Sequence, residues 1–304
     1  MVNALIIGFG SIGIRHARIL TELGCSTAVL SRRTIDVPLA FADLAQALAI
    51  HMPEYIVIAN ETGQHYSTLV ELARRQYQGT LLIEKPLFDH GQSIPAHAFR
   101  QAYVAYNLRF HPIISRLKAI VDSEQVLSVQ AYVGQYLPAW RPDTDYRLSY
   151  SADGNRGGGV LRDLSHELDY LNWMLGGWES VTALGGHVSS LEISSDDAFS
   201  LLMKTPKCPI VSVQLNYLDR RARRSIIINT DNHTFEADLI AGTLAIDHVI
   251  ESIPVARDAT YRAMHQTILE GQADAACSLL EGMETLALID AAVQAVEKNE
   301  WVKR

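Results

Sequence analysis

The chain has 304 residues, a formal net charge of −8 and 48% hydrophobic residues. That length predicts two domains rather than one core. The acidic balance excludes the concentrated basic footprint that nucleic-acid binding needs. Cys25, Cys208 and Cys277 are odd in number, far apart and without C-x-x-C spacing. They read as buried free thiols in a reducing compartment, with neither a disulfide framework nor a zinc site, and no metal is expected. No charge-free apolar run approaches membrane-spanning length, and the N-terminus starts a strand without a basic leader. The expectation is a soluble, cytoplasmic protein with no membrane partner.

Residues 2–7 form a continuous apolar run, the pattern of a parallel strand buried on both faces. They lead into Gly8-Phe9-Gly10-Ser11-Ile12-Gly13, and a helical pattern follows through Ile14, Ala17, Ile19, Leu20 and Leu23 to Gly24. Strand, G-x-G-x-x-G, helix and a second strand over 27–30 make a dinucleotide-binding turn. Gly8, Gly10, Ser11, Ile12 and Gly13 would approach a pyrophosphate through backbone N–H groups at the helix N-terminus. A glycine-rich turn without a ligand is the alternative. The second strand ends at Ser31-Arg32-Arg33, where an NAD-selective domain usually presents a carboxylate to the adenosine ribose. Serine and two arginines suit a 2′-phosphate, which points to NADP(H), with NAD(H) open; a basic surface loop is the other reading.

A helical stretch over 43–50 leads to a third strand over 55–59, whose C-terminal loop carries Asn60 and His65. A helix over 67–76 and a strand over 80–83 follow, then Glu84-Lys85-Pro86 at the same ligand-binding end of the sheet. Residues 103–106 read as the sixth strand, before Asn107-Leu108-Arg109-Phe110-His111-Pro112. A βαβ rhythm of this length predicts an α/β fold, a doubly wound parallel sheet, over residues 1–110.

From residue 113 the pattern changes to one helix over 113–121 and then mostly strands, predicting an α+β domain over 111–304. A strand over 126–136 precedes an irregular segment rich in Pro, Asp and aromatics that holds Trp140, Arg141 and Tyr150. Such loops mark ligand surfaces or simply pack. Between the glycines at 157–159 and 176–177, leucines at 161, 164, 168, 171 and 175 lie on one helical stripe. Asp163, His166 and Tyr170 share the opposite side, with Trp173 at its margin, as on a helix facing a polar cleft; a surface network is the alternative. Residues 211–217 alternate as a half-buried antiparallel strand. Arg220, Arg221, Arg223 and Arg224 read as a solvated hairpin or, alternatively, a docking point for a phosphorylated ligand. Helices over 261–270 and 277–296 close the pattern, the last of them free to pack back on the first domain.

Together, Gly8 to Gly13 with His16, Glu84-Lys85-Pro86, residues 107–112 and the helix after the triple glycine resemble the Gfo/Idh/MocA family of nicotinamide-dependent oxidoreductases. The run Leu280-Glu281-Gly282-Met283-Glu284 and the closing Trp301-Val302 are also similar to that family's tail. The resemblance covers essentially the whole chain. It implies a second domain with an open, mostly antiparallel sheet used for assembly as a dimer or tetramer. It also implies NAD(H) or NADP(H) as cofactor and sugars, inositols or nucleotide sugars as substrates. Lys85 matches the family's active-site lysine and His166 its catalytic histidine. Arg162 stands where inositol-dehydrogenase-like members carry an Asp, and Asp163 offers a carboxylate one position on.

The expected chemistry removes hydride from a secondary alcohol, with His166 as base, Lys85 stabilising the oxygen and Asp163 supporting His166. Expected cofactor contacts are Gly8, Gly10, Ser11, Ile12, Gly13, Ser31, Arg32, Arg33, Asn60, His65, Glu84 and Lys85. Expected substrate contacts are Arg109, Trp140, Arg141, Tyr150 and Tyr170. A non-catalytic, nicotinamide-binding regulatory protein of the same fold is the rival reading, and the presence of both Lys85 and His166 favours the enzyme.

Overall fold

The computed structural model describes residues 1–304, which divide into two compact units. The first comprises Met1–Phe110 and Asp258–Gly282, the second His111–Arg257 and Met283–Arg304. In the first unit β1 (Asn3–Ile7), α1 (Ser11–Glu22), β2 (Ser26–Leu30), β3 (Ala40–Phe41), α2 (Leu44–His51), β4 (Tyr55–Ile58), α3 (His65–Arg74), β5 (Thr80–Ile83) and β6 (Gln101–Val104) alternate. The six strands are parallel, in the order β6-β5-β4-β1-β2-β3. Every residue of β4 and β5 is buried, as the continuous apolar runs require of strands covered on both faces. Asp43 starts α2 by accepting a 2.8 Å bond from the Gln46 N–H. The strand order reverses between β1 and β4, so the ligand crevice of such a sheet lies beyond Ile7 and Ile58. The two-residue β3 escapes a periodicity reading, and β6 begins at Gln101, two residues earlier than the pattern predicts.

The second unit opens with α4 (Pro112–Ser123) and β7 (Val126–Gly134), then α5 (Val160–Asp163) and α6 (His166–Leu175). Strands β8 (Ser180–Gly186), β9 (Ala198–Thr205), β10 (Cys208–Asn216), β11 (Arg223–Thr230), β12 (Thr234–Asp238), β13 (Thr243–Ile246) and β14 (Val249–Ser252) follow. The chain returns to the first unit for α7 (Ala259–Leu269) and β15 (Cys277–Ser278), which pairs antiparallel with β6. Cys277 and Ser278 are therefore a strand, not the start of the last helix; α8 spans Leu279–Lys298 and β16 Val302–Lys303. The second sheet runs β14-β13-β12-β11-β7-β10-β9-β8-β16, antiparallel except where β10 meets β7. On β9, Phe199, Leu201 and Met203 are buried while Ser200, Leu202 and Lys204 are exposed, so one face of the sheet packs inward. The three cysteines are buried and free. No helix is long and apolar enough to cross a membrane.

Candidate active site

The glycine turn after β1 divides its glycines by task. Gly8 has φ +99°, and a Cβ there would lie 2.6 Å from the Ala59 carbonyl oxygen; one on Gly13 would lie 2.2 Å from the Gly8 carbonyl oxygen. Those two let strand and helix close on each other. Gly10, the N-cap of α1, has ordinary φ, and its Cβ would meet nothing within 4 Å. Neither strain nor packing asks for glycine there, whereas a pyrophosphate approaching the helix N-terminus does. Ser11 is exposed beside it, and Ile12 packs against the core of the unit. Asn60, after β4, donates to Thr68 Oγ1 at 2.9 Å, but its Oδ1 is buried with no hydrogen-bond partner. An open cradle and an orphaned acceptor at one switch point fit a dinucleotide. Ser31 Oγ accepts from the Arg33 N–H at 3.1 Å, and Arg32 and Arg33 are exposed with no ion pair.

The turn carrying Lys85 is braced on two sides. Glu84 Oε2 accepts the Lys85 N–H at 3.1 Å, and Oε1 lies 2.7 Å from His16 Nε2. His16 Nδ1 lies 2.7 Å from His265 Nε2, and His265 Nδ1 lies 2.9 Å from the Tyr55 hydroxyl. A neutral imidazole has one donor and one acceptor, so a carboxylate at Glu84 sets a single direction. Tyr55 donates to His265, His265 to His16, and His16 to Glu84. Burial, and then the neighbouring His16, push His265 well below its usual pKa, which keeps it neutral. From the other side His65 sets Nδ1 3.1 Å from the Pro86 oxygen and 3.2 Å from that of Leu87, with Nε2 3.2 Å from that of Asn60. Burial lowers its pKa as well. Glu84 and His65 thus brace the lysine turn and do not present themselves as cofactor ligands. Arg109 is only 1% exposed and pairs with Glu281 at 2.7 Å, while Glu281 accepts from the Ser278 N–H and hydroxyl. Burial opposes ionisation of Glu281, and Arg109 together with the hydrogen bonds from Ser278 outweighs it. Arg109 is a structural ion pair, which corrects its expected place at the substrate.

In the second unit the triple glycine is required by what crosses it. A Cβ on Gly158 would lie 2.1 Å from the Tyr150 carbonyl oxygen; one on Gly159, at φ +120°, would lie 2.2 Å from Asp196 Oδ1. Asp196 accepts the Leu161 N–H at 3.1 Å through its side chain and the Val160 N–H at 3.0 Å through its carbonyl. Burial raises its pKa. Asp163 accepts from the Tyr150 hydroxyl at 2.7 Å and the Tyr217 hydroxyl at 2.6 Å, one on each oxygen. Burial and then the Asp163 charge push both phenols well above their usual pKa, so they remain donors.

The expected single helix over 157–177 is two, α5 and α6, interrupted at Leu164 and Ser165. It is not two-faced either: His166, Glu167, Leu168, Asp169, Tyr170 and Leu171 are all buried. Glu167 pairs with Arg224 Nε at 2.9 Å and accepts from the Tyr170 hydroxyl at 3.3 Å. Arg224 is therefore not part of a solvated hairpin, and Tyr170, fully buried, is a core residue and not a substrate contact. Arg162 turns to Asp290 at 4.0 Å. In the preceding loop Trp140 sets its edge against the Tyr217 ring at 5.2 Å, and it lines a small cavity with Arg141 and Tyr150. Tyr55, His265, Tyr217 and Asp196 had no distinguishing sequence signal. Each works through a partner far along the chain.

The Gfo/Idh/MocA C-terminal domain model matches residues 114–236. Over those residues the chain is similar to the C-terminal domain of the Gfo/Idh/MocA family. A levoglucosan dehydrogenase of Pseudarthrobacter phenanthrenivorans is 24% identical over 140 residues, 43% of this chain and 36% of that protein. The match thus spans about a third of that relative's length. The fold of the whole chain is shared with solved structures. Levoglucosan dehydrogenase in complex with NADH and levoglucosan superposes with a TM-score of 0.85 at 15% identity, covering 99% of each chain. The WlbA dehydrogenase from Bordetella pertussis, in complex with NADH and UDP-GlcNAcA, gives 0.81 at 17% identity, covering 100% of this chain and 99% of its own.

Proposed function

We propose that this protein is a Gfo/Idh/MocA-type, nicotinamide-dependent dehydrogenase acting on a secondary alcohol, or the matching ketone, of a sugar, inositol or nucleotide sugar. The observation that carries the reading is the doubly braced lysine turn beside an open glycine cradle. The NADH-bound relatives support it. Bound nicotinamide supplies the hydride acceptor or donor. Gly10, Ser11, Ile12 and Gly13 would hold the pyrophosphate at the start of α1, Gly8 shapes the turn that brings them there, and Asn60 offers its free Oδ1. The Lys85 ammonium stabilises negative charge on the substrate oxygen. His166 takes the hydroxyl proton in oxidation and returns it in reduction, an imidazole being matched to neutral pH. Asp163, with both oxygens fixed by tyrosines, supports His166 and favours its protonated form.

The exposed Arg32 and Arg33, with no carboxylate among residues 31–33, support NADP(H) over NAD(H). Leu184 and Leu202, 75% and 50% exposed on the outer face of the second sheet, support a homo-oligomer through that face. A cytoplasmic location fits the three free, buried thiols. The test is a titration with NADH and NADPH, joined to a turnover screen of sugars, inositols and nucleotide sugars read by nicotinamide absorbance. Cofactor binding with turnover is expected. Binding without turnover on any of them would favour the regulatory reading.

A further inference from the structure

We propose that the cavity beside Trp140 and Arg141 holds a carboxylate on the substrate, so that the sugar is acidic; this rests on the dehydrogenase reading above. The cavity lies wholly within the second unit and is lined by Leu137, Trp140, Arg141, Thr144, Tyr146 and Tyr150, among others. It encloses about 50 Å³, room for roughly three or four waters. That suits one polar substituent and the edge of a ring, not a nucleotide.

Two of the side chains lining it, Arg141 and Trp140, bring N–H donors. Arg141 has no carboxylate partner, although two acids stand close to it in sequence. Of these, Asp143 is exposed and does not line the cavity. Asp145 is already held, accepting from Arg147 Nε and Nη2 at 2.7–3.0 Å. Trp140 Nε1 is buried and has no acceptor. An N–H withdrawn from water without an acceptor is a standing cost that a ligand oxygen removes. Tyr146 accepts from the Glu192 N–H at 3.2 Å, which leaves its own hydrogen to donate. The acid that does come near, Asp163, has its charge turned to the hydroxyls of Tyr150 and Tyr217. No aspartate or glutamate lines the cavity. A planar guanidinium fork with an added N–H donor matches a carboxylate, which takes two parallel bonds. Leu137 and the Trp140 ring supply the apolar wall for the C–H face of the sugar.

The test is calorimetric titration of the full chain with matched sugars: glucose, glucuronate and glucose 6-phosphate, and N-acetylglucosamine with its uronate and 6-phosphate. In at least one set the uronate is expected to bind tenfold or more tighter than the neutral sugar. Arg141→Gln should reduce that preference to threefold or less, and Trp140→Phe, which keeps a ring but removes the N–H, should reduce it in part. Circular dichroism and NADH titration of both variants check that each unit is intact. No acid preference in any set, through equal affinity or no binding, overturns the inference, as does a preference that survives Arg141→Gln. A 6-phosphate bound more tightly than its uronate overturns the carboxylate assignment. NADH binding without acid preference leaves the dehydrogenase reading standing and removes only this one. Acid preference without NADH binding does the reverse.

Discussion

In the first unit the turn that carries Lys85 is held by a line of imidazoles ending on Glu84, whereas in the second the segment that carries Asp163 and His166 is held by several carboxylates. The first device runs Tyr55, His265, His16, Glu84 in one hydrogen-bonded line and adds His65 from the opposite side. The second sets Asp163 between two tyrosines, Asp196 over the start of α5 and Glu167 against Arg224. A line of imidazoles confines buried charge to its end at Glu84 and is vulnerable to protonation. A carboxylate network has a different weakness: losing one partner strands a buried charge. Each unit thus holds its proposed catalytic group by a device suited to a different threat.

The largest expected effect removes the proposed catalytic groups themselves. Lys85→Ala and His166→Ala should each lower turnover by about a hundredfold or more while the far-ultraviolet dichroism stays unchanged. If one variant keeps near wild-type turnover, the bracing in that unit serves structure alone and the comparison collapses to one catalytic region.

Next come the glycines, which sharpen the contrast between packing and ligand approach. Gly158→Ala should destabilise the protein by about 1–3 kcal/mol, since its Cβ would press on the Tyr150 carbonyl oxygen. Gly10→Ala has open space around it and should leave the melting temperature unchanged while weakening NADH binding by about tenfold. A melting temperature lowered equally by both would mean that Gly10 is structural.

Acid should find the imidazole device first. His265 and His65 have folded pKa values lowered by burial. Below about pH 6.5 the unfolded chain therefore binds more protons than the folded one, and stability falls as pH falls. Each contributes a slope of at most about 1.4 kcal/mol per pH unit until its folded value is reached. In the second unit His111, lowered to about 4 by burial and then by Arg224, adds a similar slope. Denaturant unfolding between pH 7 and 5.5 measures it. A flat profile would show that these rings are not held neutral.

Matched amide substitutions probe the two devices directly. Glu84→Gln keeps the shape but sets an amide NH2 against either the His16 ring or the Lys85 N–H. Asp163→Asn leaves one of its two tyrosines facing a donor. Each should lower turnover by about tenfold, the cost of one misdirected charged hydrogen bond. Only Asp163→Asn should move the acidic limb of the pH–rate profile, to lower pH, because it removes the charge that favours protonated His166. If both variants shift the limb alike, the devices are not distinct.

How far these arrangements can be read from sequence depends on the reach of the interactions. The first sheet was legible because β1, β4 and β5 are continuous apolar runs punctuated by Gly8 and Pro86. The two-residue strands β3 and β15 were not, since each is defined by a neighbour and has no period of its own. The break at Leu164 and Ser165 is hidden because the leucine spacing runs straight through it. The burial of Glu167 is hidden because Arg224 arrives from 57 residues away. Lys85 and its turn stood out locally, yet His265, 249 residues from His16, carries no mark of its role. Arg109 was misread for the same reason: an arginine after a strand end looks like a ligand contact until Glu281 is seen beside it.

The smallest effect belongs to the one part of the nucleotide cradle that nothing braces. Ser31 keeps only a local bond from the Arg33 N–H, and the two guanidiniums stand in solvent. Such side chains are not preorganised, so whatever they contribute must come on binding, less the cost of ordering a flexible chain. A 2′-phosphate gives each a doubly charged partner, and one charge-assisted bond contributes roughly 1.5–3 kcal/mol before that cost. NADPH should therefore bind about tenfold more tightly than NADH, and Arg32→Ala should remove most of the difference while leaving NADH affinity nearly unchanged. Raising the salt concentration should narrow the gap too, because exposed charges are screened in a way that the buried braces around Lys85 are not. Calorimetric titration of both cofactors at two ionic strengths decides it. Equal affinities, or tighter NADH, would show that backbone contacts alone hold the adenosine end.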